Sequence, residues 1–188
     1  MVIPELLNPG TAEPMGRYNQ AVSSAGHKAE SPARVRVFVL TVSDTRTAET
    51  DSSGKAIVDM LSAAGHQVAG TALEKDEPAR VAELVRQQAA IADVDAIITT
   101  GGTGLSRRDS TFEAIDALLE KRLPGFGELF RMLSYDEIGA AAMMSRACAG
   151  TIGKVVVLSL PGSEDAVKLG MTKLVLPELG HLVQQARK

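Results

Sequence analysis

The sequence has no tryptophan and few aromatic residues of any kind, which make up only 3% of its 188 residues. A core without large rings has to be built from Val, Ile, Leu, Ala and Met, and hydrophobic residues reach 45%. This composition favours alternating strands and helices over a tyrosine-rich sandwich. The length fits one domain with a tail.

Cysteine is almost as scarce, because Cys148 is the single cysteine of the chain. One cysteine excludes an internal disulfide and a zinc site with several cysteines. Its small neighbours, Ala147 and Ala149, predict a buried thiol that behaves as a small hydrophobic side chain. A catalytic thiolate would need a positive environment, which the adjacent sequence does not provide.

An excess of positive charge is also missing, since 20 Lys and Arg stand against 23 Asp and Glu, for a net charge of -3. This balance excludes a broad basic surface for nucleic acid, and any phosphate site must be local. No apolar run is long enough for a membrane span, and the N-terminus lacks the pattern of a secretory signal. We therefore expect a cytoplasmic protein that binds neither nucleic acid nor membrane.

Residues 1–33 are rich in Gly, Pro, Ser and Asn and show no sustained periodicity. Such a segment is typical of an arm or linker outside the core, which leaves residues 34–188 as the folded domain. An untethered terminus rarely stays ordered. We expect the arm to lie across a neighbouring subunit.

Four short apolar runs begin near Val35, Gln67, Asp95 and Lys154. Each run predicts a buried strand, and helix-length segments separate the runs, the first with candidate N-caps at Asp51, Ser52 and Ser53. Apolar strands that alternate with helices predict an α/β fold with a mostly parallel, doubly wound sheet. Helices on both faces of that sheet give a three-layer α/β/α sandwich.

Ligands of doubly wound folds bind outside the carboxyl ends of the strands, where helix N-termini present unpaired N–H groups. The residues that follow the four predicted strands are therefore the candidate site. They are Ser43 and Asp44 after the first strand, Asp76 after the second, Thr100 to Ser110 after the third, and Pro161, Gly162 and Ser163 after the fourth.

The loop after the third strand carries the most information. It contains Thr100, Gly101, Gly102, Thr103 and Gly104, followed by Arg107, Arg108 and Asp109. Glycines let backbone amides approach an anion, arginines neutralise phosphate, and a carboxylate can hold Mg²⁺. The spacing fits neither a P-loop nor a dinucleotide fingerprint. A phosphate or nucleotide loop is the favoured interpretation, and a tight glycine-rich turn is the alternative.

The three aspartates of this edge each have a structural alternative. Asp44 could start an Asx-turn, Asp76 could cap the helix that follows it, and Asp109 could belong to the turn before a capping box of Ser110 and Glu113. Their convergence beside the glycine loop favours a functional role, because several carboxylates near a phosphate require a metal between them.

The remaining candidate residues predict no site of their own. His27, His66 and His181 lie in unrelated segments, which makes a catalytic or zinc histidine improbable. Met143 and Met144 are interpreted as core or subunit-contact residues.

Several motifs occur together along residues 35–188. They are residues 43–44, 75–77, 99–104, 108–111, 124–128, 145–147 and 160–162. In order and spacing they resemble the MogA/MoaB-type molybdopterin-binding family, and the segment PGFGELFRMLS is closer to the MoaB branch. One departure is Phe112, where relatives commonly carry Pro.

The resemblance implies a molybdopterin-binding fold and an enzyme of molybdenum cofactor biosynthesis, which transfers AMP from MgATP to the terminal phosphate of molybdopterin and releases pyrophosphate. It implies that Asp76 and Asp109 bind Mg²⁺ and act in catalysis. Nucleotide contacts are expected from Ser43, Asp44, Thr100, Gly101, Gly102, Thr103 and Gly104, and substrate contacts from Arg108, Ser110, Thr111, Pro161, Gly162 and Ser163.

The same resemblance implies a homotrimer or homohexamer, with other proteins of molybdenum cofactor biosynthesis as further partners. Two alternatives stay open at this point. The chain could bind or carry molybdopterin without adenylylating it, or it could be a regulatory or assembly subunit.

Overall fold

A computed structural model describes residues 31–106 and 109–188 of the chain. Most of the expected arm, including His27, lies outside the described residues, as do Arg107 and the candidate substrate contact Arg108. At the end of the arm, the Ser31 hydroxyl donates to Gln184 of the last helix at 3.3 Å. The expected contact of the arm with another subunit stays a prediction.

Four strands of the described chain pair in parallel, which confirms the predicted sheet. They are β1 (Arg36–Val42), β2 (Gln67–Glu74), β3 (Ala96–Thr100) and β6 (Val155–Leu160). Two further strands, β4 (Lys121–Arg122) and β5 (Cys148–Ile152), add an antiparallel edge, and the sheet order is β2-β1-β3-β6-β5-β4. The sequence pattern did not predict these two, because β4 has only 2 residues and β5 reads CAGTI.

Helices cover both faces of the sheet and give the predicted three layers. They are α1 (Ser52–Ala63), α2 (Pro78–Ala89), α3 (Thr111–Asp116), α4 (Pro124–Ile138), α5 (Glu164–Gly170) and α6 (Leu176–Arg187). A 3₁₀ turn (Gly139–Met144) follows α4, and a π turn (Met171–Val175) joins α5 to α6. None of the helices in residues 31–106 and 109–188 has the length and apolar character of a membrane span.

The central strands are buried on both faces, which explains why their sequences are apolar throughout. In β1, Val37 and Val39 pack with α1, α4, α5 and α6 on one face. Phe38 and Leu40 point to the other face and pack with α2 and α3. This double burial fixes the strands, and with them the loops at their carboxyl ends.

The predicted helix starts are partly right. Asp51 caps α1 as expected, and its carboxylate accepts from the Gly54 N–H at 3.0 Å. The predicted capping box at α3 is wrong, because the Ser110 side chain makes no cap bond and Glu113 pairs with Arg146 instead. The sequence pattern after Ser110 also predicts a helix to about residue 120, which is too long, since α3 ends at Asp116.

Candidate functional site

A cleft of about 370 Å³ opens at the carboxyl ends of the parallel strands. Every loop that the sequence selects contributes to its wall. The lining residues are Val42, Ser43, Asp44, Thr45, Arg46, Asp76, Gly101, Gly102, Asp109 and Gly162. The structure thus brings together the three candidate aspartates and the first part of the glycine loop.

Asp76 lies in the loop after β2 and is only 5% exposed. Its carboxylate accepts from the Thr111 hydroxyl at 2.8 Å and from the backbone N–H of Ser110. Asp76 therefore holds the start of α3, a helix 35 residues further along the chain. It does not cap its own helix, because the N-cap of α2 is Glu77, so that alternative is wrong.

Burial raises the pKa of Asp76 above its ordinary value. The hydrogen bond from Thr111 opposes this rise, whereas the negative charges of Asp109 and Asp44 add to it. A carboxylate with these neighbours is ionised at a cost, and that cost falls when a cation binds beside it.

The loop after β1 is connected to Asp76 through its backbone. The Asp76 N–H donates to Asp44 Oδ1 at 3.2 Å. Ser43 closes the turn of this loop, since its hydroxyl oxygen accepts from the N–H groups of Thr45 at 3.3 Å and Arg46 at 3.1 Å. The side chain of Asp44 thus joins two loops of the cleft, while Ser43 supplies the local turn.

The glycine loop passes close to both β1 and Asp76. Gly101 and Gly102 adopt φ values of 97° and 63°, which disfavour other residues. A Cβ at Gly101 would lie 2.0 Å from the Val42 carbonyl oxygen, and one at Gly102 would lie 2.8 Å from Asp76 Oδ2. Close approach and backbone conformation both require glycine here.

Asp109 ends the glycine loop, where it belongs to a turn and also lines the cleft. Its Oδ2 accepts from the Ser106 hydroxyl at 2.6 Å, and its own N–H donates to the Ser106 carbonyl at 3.1 Å. The turn interpretation is therefore right, and Asp109 lines the cleft as well. A Cβ at Gly104 would lie 2.5 Å from Asp109 Oδ2, so the loop packs directly on this carboxylate.

The loop after β6 lies beside the glycine loop, since a Cβ at Gly162 would lie 3.1 Å from the Gly101 Cα. Thr100 donates from its hydroxyl to the Pro161 carbonyl at 2.8 Å, and Ser53 donates to the Gly162 carbonyl at 2.7 Å. Ser163 caps α5 and accepts from the Ala166 N–H at 3.3 Å. Gly162 lines the cleft itself, whereas the Ser163 hydroxyl oxygen is engaged by the helix.

Arg46 is a cleft residue that the sequence pattern did not predict. Its guanidinium donates to the Gly162 carbonyl at 2.8 Å and pairs with Asp51 at 3.3 Å. The sequence feature that could have indicated Arg46 is its position, two residues after the Ser43-Asp44 pair that ends a predicted strand. Arg46 brings positive charge to a wall that otherwise carries carboxylates.

The carboxylates suit a cation that arrives with a phosphate. Within residues 31–106 and 109–188, no three His, Cys, Asp or Glu side chains are grouped so that they could hold a metal. Mg²⁺ commonly takes only one or two protein carboxylates and fills its other positions with water and substrate phosphate. Asp76 and Asp109 fit this donor set, beside glycines that allow close approach of an anion.

The other reactive side chains lie away from the cleft. Cys148 is partly rather than fully buried, and this burial raises the pKa of its thiol to about 12, which fits the prediction that the thiol is not catalytic. His66 accepts from the Val35 N–H at the opposite end of β1, and His181 pairs with Glu178 within α6.

The paired methionines after α4 are on the surface. Met143 and Met144 are 76% and 55% exposed, so the core interpretation of these residues is wrong. A subunit contact at this place stays a prediction.

The fold and the cleft define a class of protein, a doubly wound α/β domain with a cleft at the carboxyl ends of its parallel strands, where ligands of such folds bind. Residues 38–181 match the family model described as "Probable molybdopterin binding domain". The chain belongs to this molybdopterin-binding domain family.

Curated relatives extend the match along most of the chain. Molybdenum cofactor biosynthesis protein B of Bacillus subtilis (strain 168) is 53% identical over 163 residues, which cover 86% of this chain and 96% of the relative. The protein of the same name from Bacillus cereus is 50% identical over 162 residues, with the same shares covered.

Solved structures agree with these relatives. A crystal structure of molybdenum cofactor biosynthesis protein B has a TM-score of 0.81 at 50% identity, and the match covers 84% of this chain and 99% of that one. The tungsten cofactor synthesizing protein MoaB from Pyrococcus furiosus has a TM-score of 0.75 at 38% identity, covering 84% and 100%. A MogA structure is 29% identical with a TM-score of 0.72, covering 80% and 99%. The higher identity to MoaB confirms the predicted branch.

Proposed function

We propose that the chain acts in molybdenum cofactor biosynthesis and that it transfers AMP from MgATP to the terminal phosphate of molybdopterin. The names of its relatives support the pathway. The observation that carries the reaction is the cleft in which Asp76, Asp109 and the glycine loop meet. A nucleotide and a second phosphate have to be brought together in such a reaction, and this cleft offers the groups for both.

In the proposed reaction, an oxygen of the molybdopterin phosphate attacks the α-phosphorus of ATP. The bond between that phosphorus and the oxygen bridging to the β-phosphate breaks, and pyrophosphate leaves with the electron pair. The second pKa of a phosphate monoester is about 6, so the attacking oxygen is already largely ionised at neutral pH. Positioning and charge neutralisation are then sufficient, which suits a cleft whose lining, among residues 31–106 and 109–188, includes carboxylates, glycines and an arginine but no histidine.

Two aspartates would hold the magnesium ion, namely Asp76 and Asp109. Bound Mg²⁺ supplies positive charge that neutralises the phosphates and orients them. The ionised form of Asp76 is disfavoured in the free protein by burial and by Asp109. A bound cation would relieve that penalty, so the raised pKa of Asp76 is consistent with a role in holding Mg²⁺.

The remaining candidate residues divide between the two ligands. Residues 100–104 would bind the nucleotide phosphates through the backbone, and Ser43 and Asp44 line the same cleft. The loop of Pro161, Gly162 and Ser163 is assigned to the pterin side, and its Gly162 lines the cleft. Ser110 and Thr111, which hold the Asp76 carboxylate, are assigned to the substrate through that contact.

The decisive experiment measures pyrophosphate release from molybdopterin and MgATP by the wild type and by Asp109→Asn. Turnover of the variant should fall on the order of 10²- to 10³-fold, because one charged element of a preorganised phosphate site is lost. Molybdopterin affinity should persist, and stability should change by no more than about 1 kcal/mol. Asp116→Asn is the matched control, since Asp116 lies in α3 and pairs with Arg122 outside the cleft.

Two results would contradict the proposal. Near-normal turnover with lowered stability in Asp109→Asn would show that Asp109 acts only as a turn residue. A wild type that binds molybdopterin without releasing pyrophosphate would favour the alternative of a carrier protein.

A further inference from the structure

Arg146 is a family-motif residue to which the proposed reaction gives no role. It stands between the 3₁₀ turn and β5, and both of its neighbours are fixed. The Ser145 N–H donates to the Ala142 carbonyl at 2.9 Å, and Ala147 is 4% exposed in the core. The backbone therefore holds the start of this side chain in place.

The guanidinium of Arg146 binds two consecutive carbonyls of the glycine loop. Its Nε donates to the Thr103 carbonyl at 2.8 Å, and its Nη2 donates to the Gly104 carbonyl at 2.5 Å. The Arg146 side chain is 19% exposed; its bond to the Thr103 carbonyl is partly buried, and its bond to the Gly104 carbonyl is exposed. A planar fork of donors can bind two acceptors at once, which a lysine ammonium cannot reproduce.

The other side of the guanidinium is held by α3. Nη1 pairs with the Glu113 carboxylate, and the guanidinium lies over the Phe112 ring at 4.7 Å from its centre. The Phe112 ring thus offers its aromatic face to the guanidinium. Arg146 is thus clamped between the first turn of α3 and the loop.

These contacts fix the orientation of two peptide groups. In a trans peptide the C=O and N–H point in opposite directions. With both carbonyls turned to Arg146, the N–H groups of Gly104 and Leu105 point away from it. Gly104 also packs directly on Asp109, so the position of its backbone sets the place of that carboxylate.

We propose that Arg146 is a positioning residue that fixes the peptide planes of the glycine loop and, through Gly104, the place of Asp109. The assignment rests on the proposed function, because the loop and Asp109 are assigned there to MgATP. Arg146 acts on the reaction only through these groups. Its loss should therefore change nucleotide binding and turnover more than global stability.

The test compares Arg146→Ala and Arg146→Lys with a matched arginine variant, Arg122→Ala. Arg122 also binds α3, at its other end, through the carboxylate and carbonyl of Asp116. Hydrogen exchange of peptides covering residues 101–106 is measured on the free, full-length protein by mass spectrometry. Affinity for a non-hydrolysable MgATP analogue, pyrophosphate release and Tm are measured on the same samples.

For Arg146→Ala, we expect faster exchange confined to residues 101–106, about tenfold weaker binding of the analogue, and a Tm within the range of Arg122→Ala. Turnover should fall on the order of 10²-fold, as expected when reacting groups are displaced by about 1 Å. Arg146→Lys should recover only a small part of the lost nucleotide affinity and turnover, because one ammonium cannot bind both carbonyls. Arg122→Ala should keep wild-type loop exchange and turnover.

The assignment is overturned if loop exchange is unchanged in Arg146→Ala, or if an active wild type tolerates this variant with normal turnover. It is also overturned if exchange rises throughout the domain together with a large fall in Tm. Should Arg146→Ala fail to fold, Glu113→Gln decides, since it weakens the clamp from the α3 side and should loosen the same loop. A wild type without pyrophosphate release, combined with loosened loops in the variants, would reject adenylyl transfer and retain Arg146 as the residue that shapes the loop.

Discussion

An aspartate is buried at each end of the parallel strands, and the two carboxylates have opposite electrostatic surroundings. At the amino edge, before β3, Asp95 is 5% exposed. It accepts from the Arg36 guanidinium at 2.6 Å and from the Arg36 N–H at 2.8 Å, and it also pairs with Arg187. At the carboxyl edge, Asp76 has the same exposure of 5%, but its donors are the uncharged Thr111 hydroxyl and Ser110 amide.

The pKa values of the two carboxyls therefore move apart. Burial alone raises the pKa of Asp95, but the hydrogen bonds of Arg36 and the charge of Arg187 outweigh it, and the net pKa is lowered. Burial raises the pKa of Asp76, and the neighbouring Asp109 and Asp44 add to the rise. At equal burial, the Asp95 carboxylate is neutralised by arginines of the fold, whereas the Asp76 carboxylate has uncharged donors and two further carboxylates as neighbours.

The largest effect on stability is expected for Asp95→Asn. The change removes the charge that Arg36 and Arg187 share, and it should lower the free energy of unfolding by about 2–3 kcal/mol at pH 7. Asp93→Asn is the control, because Asp93 also pairs with Arg36 but its side chain is 85% exposed. That control should cost less than about 1 kcal/mol. Denaturant unfolding measures both, and equal losses would break the comparison.

The sign of the pH dependence follows from the lowered pKa of Asp95. A depressed pKa contributes stability above the unfolded-state value, and this contribution is lost as the pH falls through the folded-state value. The difference between wild type and Asp95→Asn should therefore be fully present above the ordinary Asp pKa of about 3.9 and should shrink as the pH falls below it.

A smaller effect, of the opposite sign, is expected for Asp76→Asn. Its raised pKa means that ionised Asp76 destabilises the free fold above its folded-state pKa. The metal-free variant should be at least as stable as wild type at pH 7, and any advantage should disappear below about pH 4, where Asp76 is protonated. Asp59→Asn, on the exposed face of α1, is the control. A marked loss of stability in Asp76→Asn alone would assign Asp76 to the fold rather than to the site.

The smallest effect is expected for Thr111→Val. The Thr111 hydroxyl lowers the pKa of Asp76, so its removal should raise that pKa further. One hydrogen bond is lost, which should cost about 1 kcal/mol. A ¹³C titration of the Asp76 carboxyl measures the shift. A lowered or unchanged pKa would show that the surroundings of Asp76 are set by something other than this bond.

The parallel half of the fold could be predicted because its determinants are local. The apolar runs near Val35, Gln67, Asp95 and Lys154 each form their own strand, and the carboxyl ends of parallel strands share an edge. That rule is sufficient to place Asp44, Asp76 and Asp109 together, because each of them follows one of these strands.

The remaining features depend on partners that are distant in the sequence. The local sequence around Glu113 fits a capping box, but the Glu113 carboxylate pairs with Arg146, 33 residues away, instead of with the helix backbone. Likewise, the role of Asp76 at the start of α3 depends on Thr111, 35 residues further on. The antiparallel strand β5 escaped prediction because its small residues carry no alternating pattern, and its position is set by pairing with β6.

The bond between Asp76 and Thr111 makes the first turn of α3 part of the cleft's chemistry. The same carboxylate that faces the cleft also anchors this helix. A ligand that binds the Asp76 oxygens would therefore also change the hydrogen bond that holds the start of α3. By thermodynamic linkage, a change at the start of α3 would change ligand affinity to the same extent. Order at the start of α3 and occupancy of the cleft are two readouts of one equilibrium, so a spectroscopic label near Thr111 would report ligand binding from inside the helix.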